Sequence, residues 1–332
     1  MTTRRSFLYL AAAVGTASLA ACSSGSSSDA GAPGSSAGAS AGVTPDASAF
    51  PVTVTHGKGE LALEAAPEKV VVLDIAAMDT LVALGVSDRV VGIVSNGDTL
   101  PTDLGDYYAS AEVVGTLHEP DAEKIDALGP DLVIVGGRSA DTYDSIAQNF
   151  TALLMPGSRE TAFGERLTGS AELLGQVFGV SSKATDELAA YTAKTEEVKA
   201  TAQGIGKGLI LMTSGGEVTA FGPGSRFGLI HDDLGVTPAI EDVEAATHGE
   251  AISFELINNA NPDWLFVIDR DAAIGESGQA AKEVLNTELV TSTTAWTKNQ
   301  VAYLDGQRWY IIGAGLHNAP AMVDEISTAI TA

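Results

Sequence analysis

The sequence predicts an α/β protein of two Rossmann-like lobes, each built around a mostly parallel sheet, joined by one long rigid helix. Three observations carry that expectation. First, Gly129-Pro130-Asp131-Leu132-Val133-Ile134-Val135-Gly136-Gly137-Arg138 is echoed by Asn261-Pro262-Asp263-Trp264-Leu265-Phe266-Val267-Ile268-Asp269-Arg270, and at the same displacement Glu123 and Ile125 have counterparts in Glu255 and Ile257. Each copy reads as a helix ended before Pro, then a strand apolar on both faces. Second, such apolar runs alternate with helical spacing through both halves, the pattern of a doubly wound sheet. Third, Ser182 to Gln203 holds neither Gly nor Pro and places Ala184, Leu188, Tyr191 and Val198 near helical spacing. About 21 residues at about 1.5 Å each make a rod of roughly 30 Å, close to the width of a domain.

In chain order, residues 1–21 read as an export signal. Arg4 and Arg5 precede Phe7-Leu8 and an Ala-rich apolar run to Ala21 that is too short for a membrane span. The twin Arg resembles a twin-arginine signal, and Leu19-Ala20-Ala21-Cys22 resembles a bacterial lipobox. Cys22 is the single cysteine, which excludes a disulfide within the chain and a Cys-based metal site. Lipidation there would anchor the mature protein to the outer face of the cell membrane. Residues 22–50 form the lipidated start and a Ser, Gly and Ala-rich tether with too little apolar surface to fold.

The first lobe spans 51–181. Val52 to Leu63 suggests a hairpin, Lys69 to Ile75 a buried strand, Ala76 to Gly85 a short helix with a glycine C-cap, and Arg89 to Ser95 the next strand. Pro120 to Leu128 is helical and Asp131 to Val135 the strand that ends at Arg138. In sheets of this kind ligands bind at the carboxyl ends of strands. Gly136-Gly137 belongs to neither a GxGxxG nor a GxxxxGK[ST] motif, so a nucleotide loop is set aside.

The connecting helix occupies 182–204 and the second lobe 205–332. Gly208 to Met212 and Val218 to Phe221 read as strands. The Gly-rich loop Phe221 to Gly228 holds Arg226, Leu229 to Leu234 starts a helix, and Ser253 is an N-cap with Glu255 in the first turn. Gln300 to Leu304 is the last strand, leading to Trp309-Tyr310, and a final helix runs from Ala319 to Ile330.

With 43 acidic against 18 basic side chains and a net charge of −25, the surface is unsuited to nucleic acid or anionic membrane. Cations are scarce, so Arg138, Arg226 and Arg270, in loops that two lobes would turn toward one cleft, are the candidate contacts for anionic oxygens. His248 and Tyr310 can hydrogen-bond or ligate a metal. The five His show no HxH or HExxH spacing, and His248 and His317 taken singly read as surface or satisfied core residues. No GxSxG elbow or matched carboxylate pair marks an enzyme.

From about Pro51 onward the chain resembles the substrate-binding lipoproteins of iron-siderophore ABC importers, the class III, helical-backbone periplasmic binding proteins that include ferrichrome, vitamin B12 and haem binders. Asp-Ala-Glu123-Lys-Ile with Pro-Asp-Leu-Val-Ile, Ile-Ser-Phe-Glu255 with Asn-Pro-Asp, and the long joining helix carry the likeness. Gly-Pro-Gly-Ser-Arg226-Phe-Gly, His248-Gly-Glu-Ala-Ile-Ser-Phe-Glu, Val-Ile-Asp-Arg270 and Leu-Asp followed by Trp309-Tyr310 resemble the catecholate and petrobactin-type subgroup. The resemblance implies a non-enzymatic, monomeric receptor with no intrinsic cofactor, whose ligand is a Fe(III)-siderophore complex. Arg138, Arg226 and Arg270 would then neutralise that complex, with Trp309 beside them. His248 and Tyr310 would ligate iron or bond the siderophore, and Glu123 and Glu255 would face Arg residues of the permease dimer. Haem or cobalamin binding on the same fold, and an extracytoplasmic hydrolase, are the alternative expectations.

Overall fold

The computed structural model describes residues 43–97, 100–157, 161–243 and 249–332. The signal segment, Cys22 and His248 lie outside the described residues.

The expected hairpin forms from β1 (Val52–His56) and β2 (Gly59–Leu63), paired antiparallel. Five strands follow: β3 (Val70–Val72), β4 (Val90–Ser95), β5 (Glu112–Thr116), β6 (Leu132–Val135) and β7 (Ala152–Leu154). They form one parallel sheet in the order β5-β4-β3-β6-β7. The strand expected over Lys69 to Ile75 is shorter than its apolar run. The reason is Asp74, whose carboxylate accepts from the Ala76 amide and starts a helix at Ile75. That helix ends at Leu84, with Gly85 left-handed as its C-cap.

The second sheet holds β8 (Lys207–Ser214), β9 (Glu217–Phe221), β10 (Thr237–Pro238), β11 (Glu250–Ala251), β12 (Trp264–Asp269) and β13 (Val301–Leu304). It is mixed: β8, β12 and β13 run parallel, β10 adds to β8 in parallel, and β9 pairs antiparallel with both β8 and β11. The helix expected over Leu229 to Leu234 is only the 3-10 turn Gly228–Ile230. The Asp232 side chain bonds back to the Gly224 amide instead, closing the loop on itself.

The joining helix spans Ser181–Gln203. It packs against the helices Phe163–Val177 and Ala319–Thr331. Tyr191 donates to Asp233 at 2.8 Å and Lys194 pairs with Asp324 at 2.6 Å, which ties the rod to the second half. One apolar cluster is continuous from Val71 and Ile134 of the first sheet, through Tyr191, to Ile210 and Phe266 of the second. A separate cluster with Leu211, Ile257, Leu265 and Val267 fills the other face of the second sheet. Alternate residues of β8 and β12 thus feed opposite layers, each fully buried side chain contributing about 1.5–3 kcal/mol. A core shared by both sheets opposes hinged separation. No helix among the described residues is long and apolar enough to cross a membrane.

Candidate functional site

The two repeat units set the site's outer geometry. In the first, Asp121 caps the helix Ala122–Leu128 by accepting from Glu123 and Lys124 amides at 3.0 and 3.2 Å, and left-handed Gly129 ends it. In the second, Ser253 caps Phe254–Ala260 through the Leu256 amide at 3.2 Å, and left-handed Asn261 ends it. Glu123 and Glu255 both sit exposed in the first turn. Hydrogen bonds from its own amide and from Ser253 hold the Glu255 carboxyl below its usual range. The strands that follow deliver Arg138, in the 3-10 turn Gly137–Thr142, and Arg270, the first residue of the helix Arg270–Ala273.

Both guanidiniums meet a π-helical turn, Gln307–Ile312, a geometry that recurs at functional sites. Asp305 opens it by accepting from the Gln307 and Arg308 amides at 2.8 and 3.1 Å, and the Gly313 amide closes it on the Arg308 carbonyl at 3.0 Å. Its carbonyl end, where backbone acceptors lack helical partners and the dipole is negative, is met by two arginines. Arg138 donates to the Tyr310 carbonyl at 2.8 Å and the Ile311 carbonyl at 3.3 Å, and Arg226 donates to the Tyr310 carbonyl at 3.0 Å. Arg270 donates from Nε to the Tyr310 hydroxyl at 3.1 Å and from Nη1 to Ser214 at 3.1 Å. Asp271, buried, steadies it by taking the Arg270 Nη1 at 3.3 Å and the Gly215 amide at 2.7 Å.

All three guanidinium carbons lie 4.9–5.8 Å from the centre of the Tyr310 ring, within cation–π range. Burial acts to raise the Tyr310 phenol, but the Arg270 hydrogen bond and the charges of Arg138, Arg226 and Arg270 outweigh it and hold the phenol below its ordinary range. The structure therefore brings together four of the expected site residues, Arg138, Arg226, Arg270 and Tyr310. Trp309 requires a correction. It is fully buried, and its indole donates to Glu325 at 2.8 Å. Consecutive residues of the turn point to different sides, so Tyr310 faces the arginines and Trp309 the core.

Beneath Arg138 and Arg226 lies a cavity of about 50 Å³, also lined by Asp74, Arg166, Ile312 and Gly313. Asp74 and Arg166 were not singled out from the sequence. Asp74 could have been found, since it stands at the carboxyl end of a buried strand; Arg166 carries no such signal inside an amphipathic helix. Burial raises the Asp74 carboxyl, opposed by the charges of Arg166 and Arg138. Gly137 is explained by the same group. Its φ is +54°, and a Cβ there would fall 2.7 Å from Asp74 Oδ1, so the glycine pair makes room for a carboxylate rather than a phosphate.

Among the described residues no three His, Cys, Asp or Glu side chains converge as a metal cage. The site is instead a partly buried cluster of cations around one acidified phenol, suited to a multiply anionic ligand.

This fold and this cluster define a substrate-binding protein of the periplasmic type. The profile of the periplasmic binding protein family matches residues 70–308, and the chain belongs to that family. The petrobactin-binding protein YclQ of Bacillus subtilis strain 168 is 38% identical over 286 residues, covering 84% of this chain and 88% of the relative. The ferric-anguibactin-binding protein FatB of Vibrio anguillarum is 32% identical over 282 residues, covering 83% and 86%. The YclQ crystal structure matches with a TM-score of 0.79 at 36% identity, covering 85% of this chain and 99% of that one. The siderophore-binding protein BauB, solved with two acinetobactin molecules and ferric iron, matches with a TM-score of 0.75 at 26% identity, covering 84% and 98%. These relatives are named for binding, not catalysis.

Proposed function

We propose that this chain is an extracytoplasmic receptor that binds a ferric siderophore of catecholate type and delivers it to an ABC importer. The observation that carries the reading is the convergence of Arg138, Arg226 and Arg270 on Tyr310. A ferric tris-catecholate is a compact trianion, and three planar donor forks in a partly desolvated site match its charge and its oxygen edges. Selection of an anion by a protein of net charge −25 then rests on local convergence rather than overall attraction. Tyr310, with its phenol already pushed toward the anionic form, is a candidate to ligate iron where a siderophore leaves positions open, with His248 as the second candidate.

The same reading divides the chain into a signal at 1–21, a tether expected over 22–50 and lipidated at Cys22, lobes at 51–181 and 205–332, and the joint at 182–204, acting as a monomer. The end of that tether, 43–50, instead belongs to the first lobe, because Val43 and Phe50 pack on its core and the Val43 and Asp46 amides donate to the Gly85 and Gly179 carbonyls, both at 2.9 Å. Glu123 and Glu255 are the permease contacts. Each is exposed, and an exposed apolar side chain accompanies each: Leu256 next to Glu255, and Val113, whose carbonyl accepts from Lys124, near Glu123.

The test is a titration of the soluble chain with ferric catecholate complexes, read by intrinsic fluorescence. Saturable quenching at micromolar concentration or below supports the reading, and its absence defeats it.

A further inference from the structure

A buried carboxylate far along the sequence from Tyr310 is linked through hydrogen bonds to the turn that carries it. Asp79 lies in the helix Ile75–Leu84 with no exposed surface. Its Oδ1 accepts from the backbone amides of His317 and Asn318, both at 2.9 Å. The neighbouring Thr80 hydroxyl takes the Leu316 amide at 3.3 Å. Asn318, itself buried, donates from its side-chain amide to the carbonyls of Arg308 and Gly313, both at 3.0 Å. Arg308 is the second residue of the π-helical turn Gln307–Ile312 and Gly313 its C-cap, so the two carbonyls lie on either side of Tyr310. The approach is close enough that a Cβ at Gly315 would lie 2.2 Å from Asp79 Oδ1, so only glycine fits there.

We propose that Asp79 is a positioning residue for Tyr310: from a helix of the first half it grips the His317-Asn318 backbone, and through the Asn318 amide it fixes the turn on which the phenol meets the three guanidiniums. This rests on the reading above only in giving Tyr310 a ligand to meet.

The grip depends on pH. Asp79 Oδ2 has no hydrogen-bond partner, and burial pushes the carboxyl up to about 7 against the lowering effect of the Asn318 and His317 amides. The ionisable groups facing it are Asp103, whose charge adds to the rise, and Arg308, which opposes it and pairs with Asp103 at 3.0 Å. Tyr108, its hydroxyl on the Met78 carbonyl, and the His317 ring, edge-on to Tyr107 at 5.7 Å, complete the surroundings. The Leu316-His317-Asn318 backbone forms a strap over Asp79 and Thr80; when it opens, the carboxyl returns to its ordinary range. The closed strap thus holds the proton more tightly than the open one. Its stability is fullest below the ordinary carboxylate range, declines as pH rises toward about 7, and is level above that.

The experiment follows backbone hydrogen exchange over 307–318 in the full chain between about pH 5 and 8, corrected for intrinsic rates, in wild type, Asp79→Asn and Asn318→Ala. In wild type the protection of the Leu316, His317 and Asn318 amides is expected to fall by at least roughly tenfold across this range, the effect of one pKa unit of displacement. Asp79→Asn should be flat, and Asn318→Ala should lower protection at Gly313 at every pH. In parallel, the ratio of ferric catecholate affinities of Asp79→Asn and wild type, in which the ligand's own protonation cancels, should change several-fold over the same range. A wild-type pH profile retained by Asp79→Asn, or a constant affinity ratio, overturns the proposal. Failure of wild type to bind ferric catecholate at any pH defeats the siderophore reading instead, and the exchange data still decide the role of Asp79.

Discussion

The repeated units, Asp121 to Arg138 and Ser253 to Arg270, share a framework and differ at their ends. In both, the Asp after Pro clamps the start of the neighbouring strand. Asp131 accepts from the Glu68 and Lys69 amides at 2.8 and 3.1 Å, and Asp263 from the Lys207 amide at 2.9 Å. In both, that residue's own amide donates to the neighbouring strand, to the Lys69 or Lys207 carbonyl. The difference comes after the strand. Gly136-Gly137 releases the first chain into a 3-10 turn around Asp74, and Arg138 reaches backbone carbonyls of the Tyr310 turn. In the second copy the strand continues through Asp269, which caps the next helix by accepting from Ala272, and Arg270 reaches the phenol itself. A duplicated scaffold thus delivers the same side chain to two acceptors of one residue. The third guanidinium, Arg226, has no counterpart in the repeat and is only 8% exposed.

That contrast orders the expected effects. Arg226→Ala removes the most buried cation and should weaken ferric catecholate binding by about 2–3 kcal/mol, the scale of hydrogen bonds to charged groups. Arg138→Ala and Arg270→Ala, each partly exposed, should cost less in the same fluorescence titration. Equal losses at all three positions would remove the distinction between the buried, unrepeated arginine and the repeated pair. Trp309→Phe leaves the partly buried Glu325 carboxyl without its indole partner and should lower stability by about 1–3 kcal/mol in urea denaturation, with a smaller change in ligand affinity than Arg226→Ala. Asp131→Ala should cost about 1–2 kcal/mol and Asp263→Ala about 1 kcal/mol, because the first carboxylate holds two amides and the second one. A larger loss at Asp263 would contradict the shared framework role. Glu123→Ala and Glu255→Ala should leave stability within about 0.5 kcal/mol and siderophore affinity unchanged, while transport in cells carrying the importer falls.

Much of this was legible in the residues because it depends on local rules. The long helix is marked by an absence of Gly and Pro, and the repeat by its Pro-Asp punctuation and unbroken apolar strands. The three arginines were found as rare cations at predicted strand ends and loops. The short strands Glu112–Thr116 and Ala152–Leu154 gave no comparable signal. Edge strands of three to five residues acquire their conformation from the sheet they join rather than from their own pattern.

The amino-acid order by itself determined where the helices before Gly85, Gly129 and Gly204 stop, which central strands are buried on both faces, and that two similar units each end in an arginine. These follow from backbone chemistry and side-chain periodicity within a few residues. Tertiary structure alone decided that Tyr310 faces the arginines while Trp309 faces Glu325, and that Asp74 and Arg166 share a cavity with Arg138. It also decided that Asp79 grips a backbone more than two hundred positions away. Each of these is a contact between segments remote in sequence, fixed by the packing of two sheets around a common core, and no local pattern encodes it.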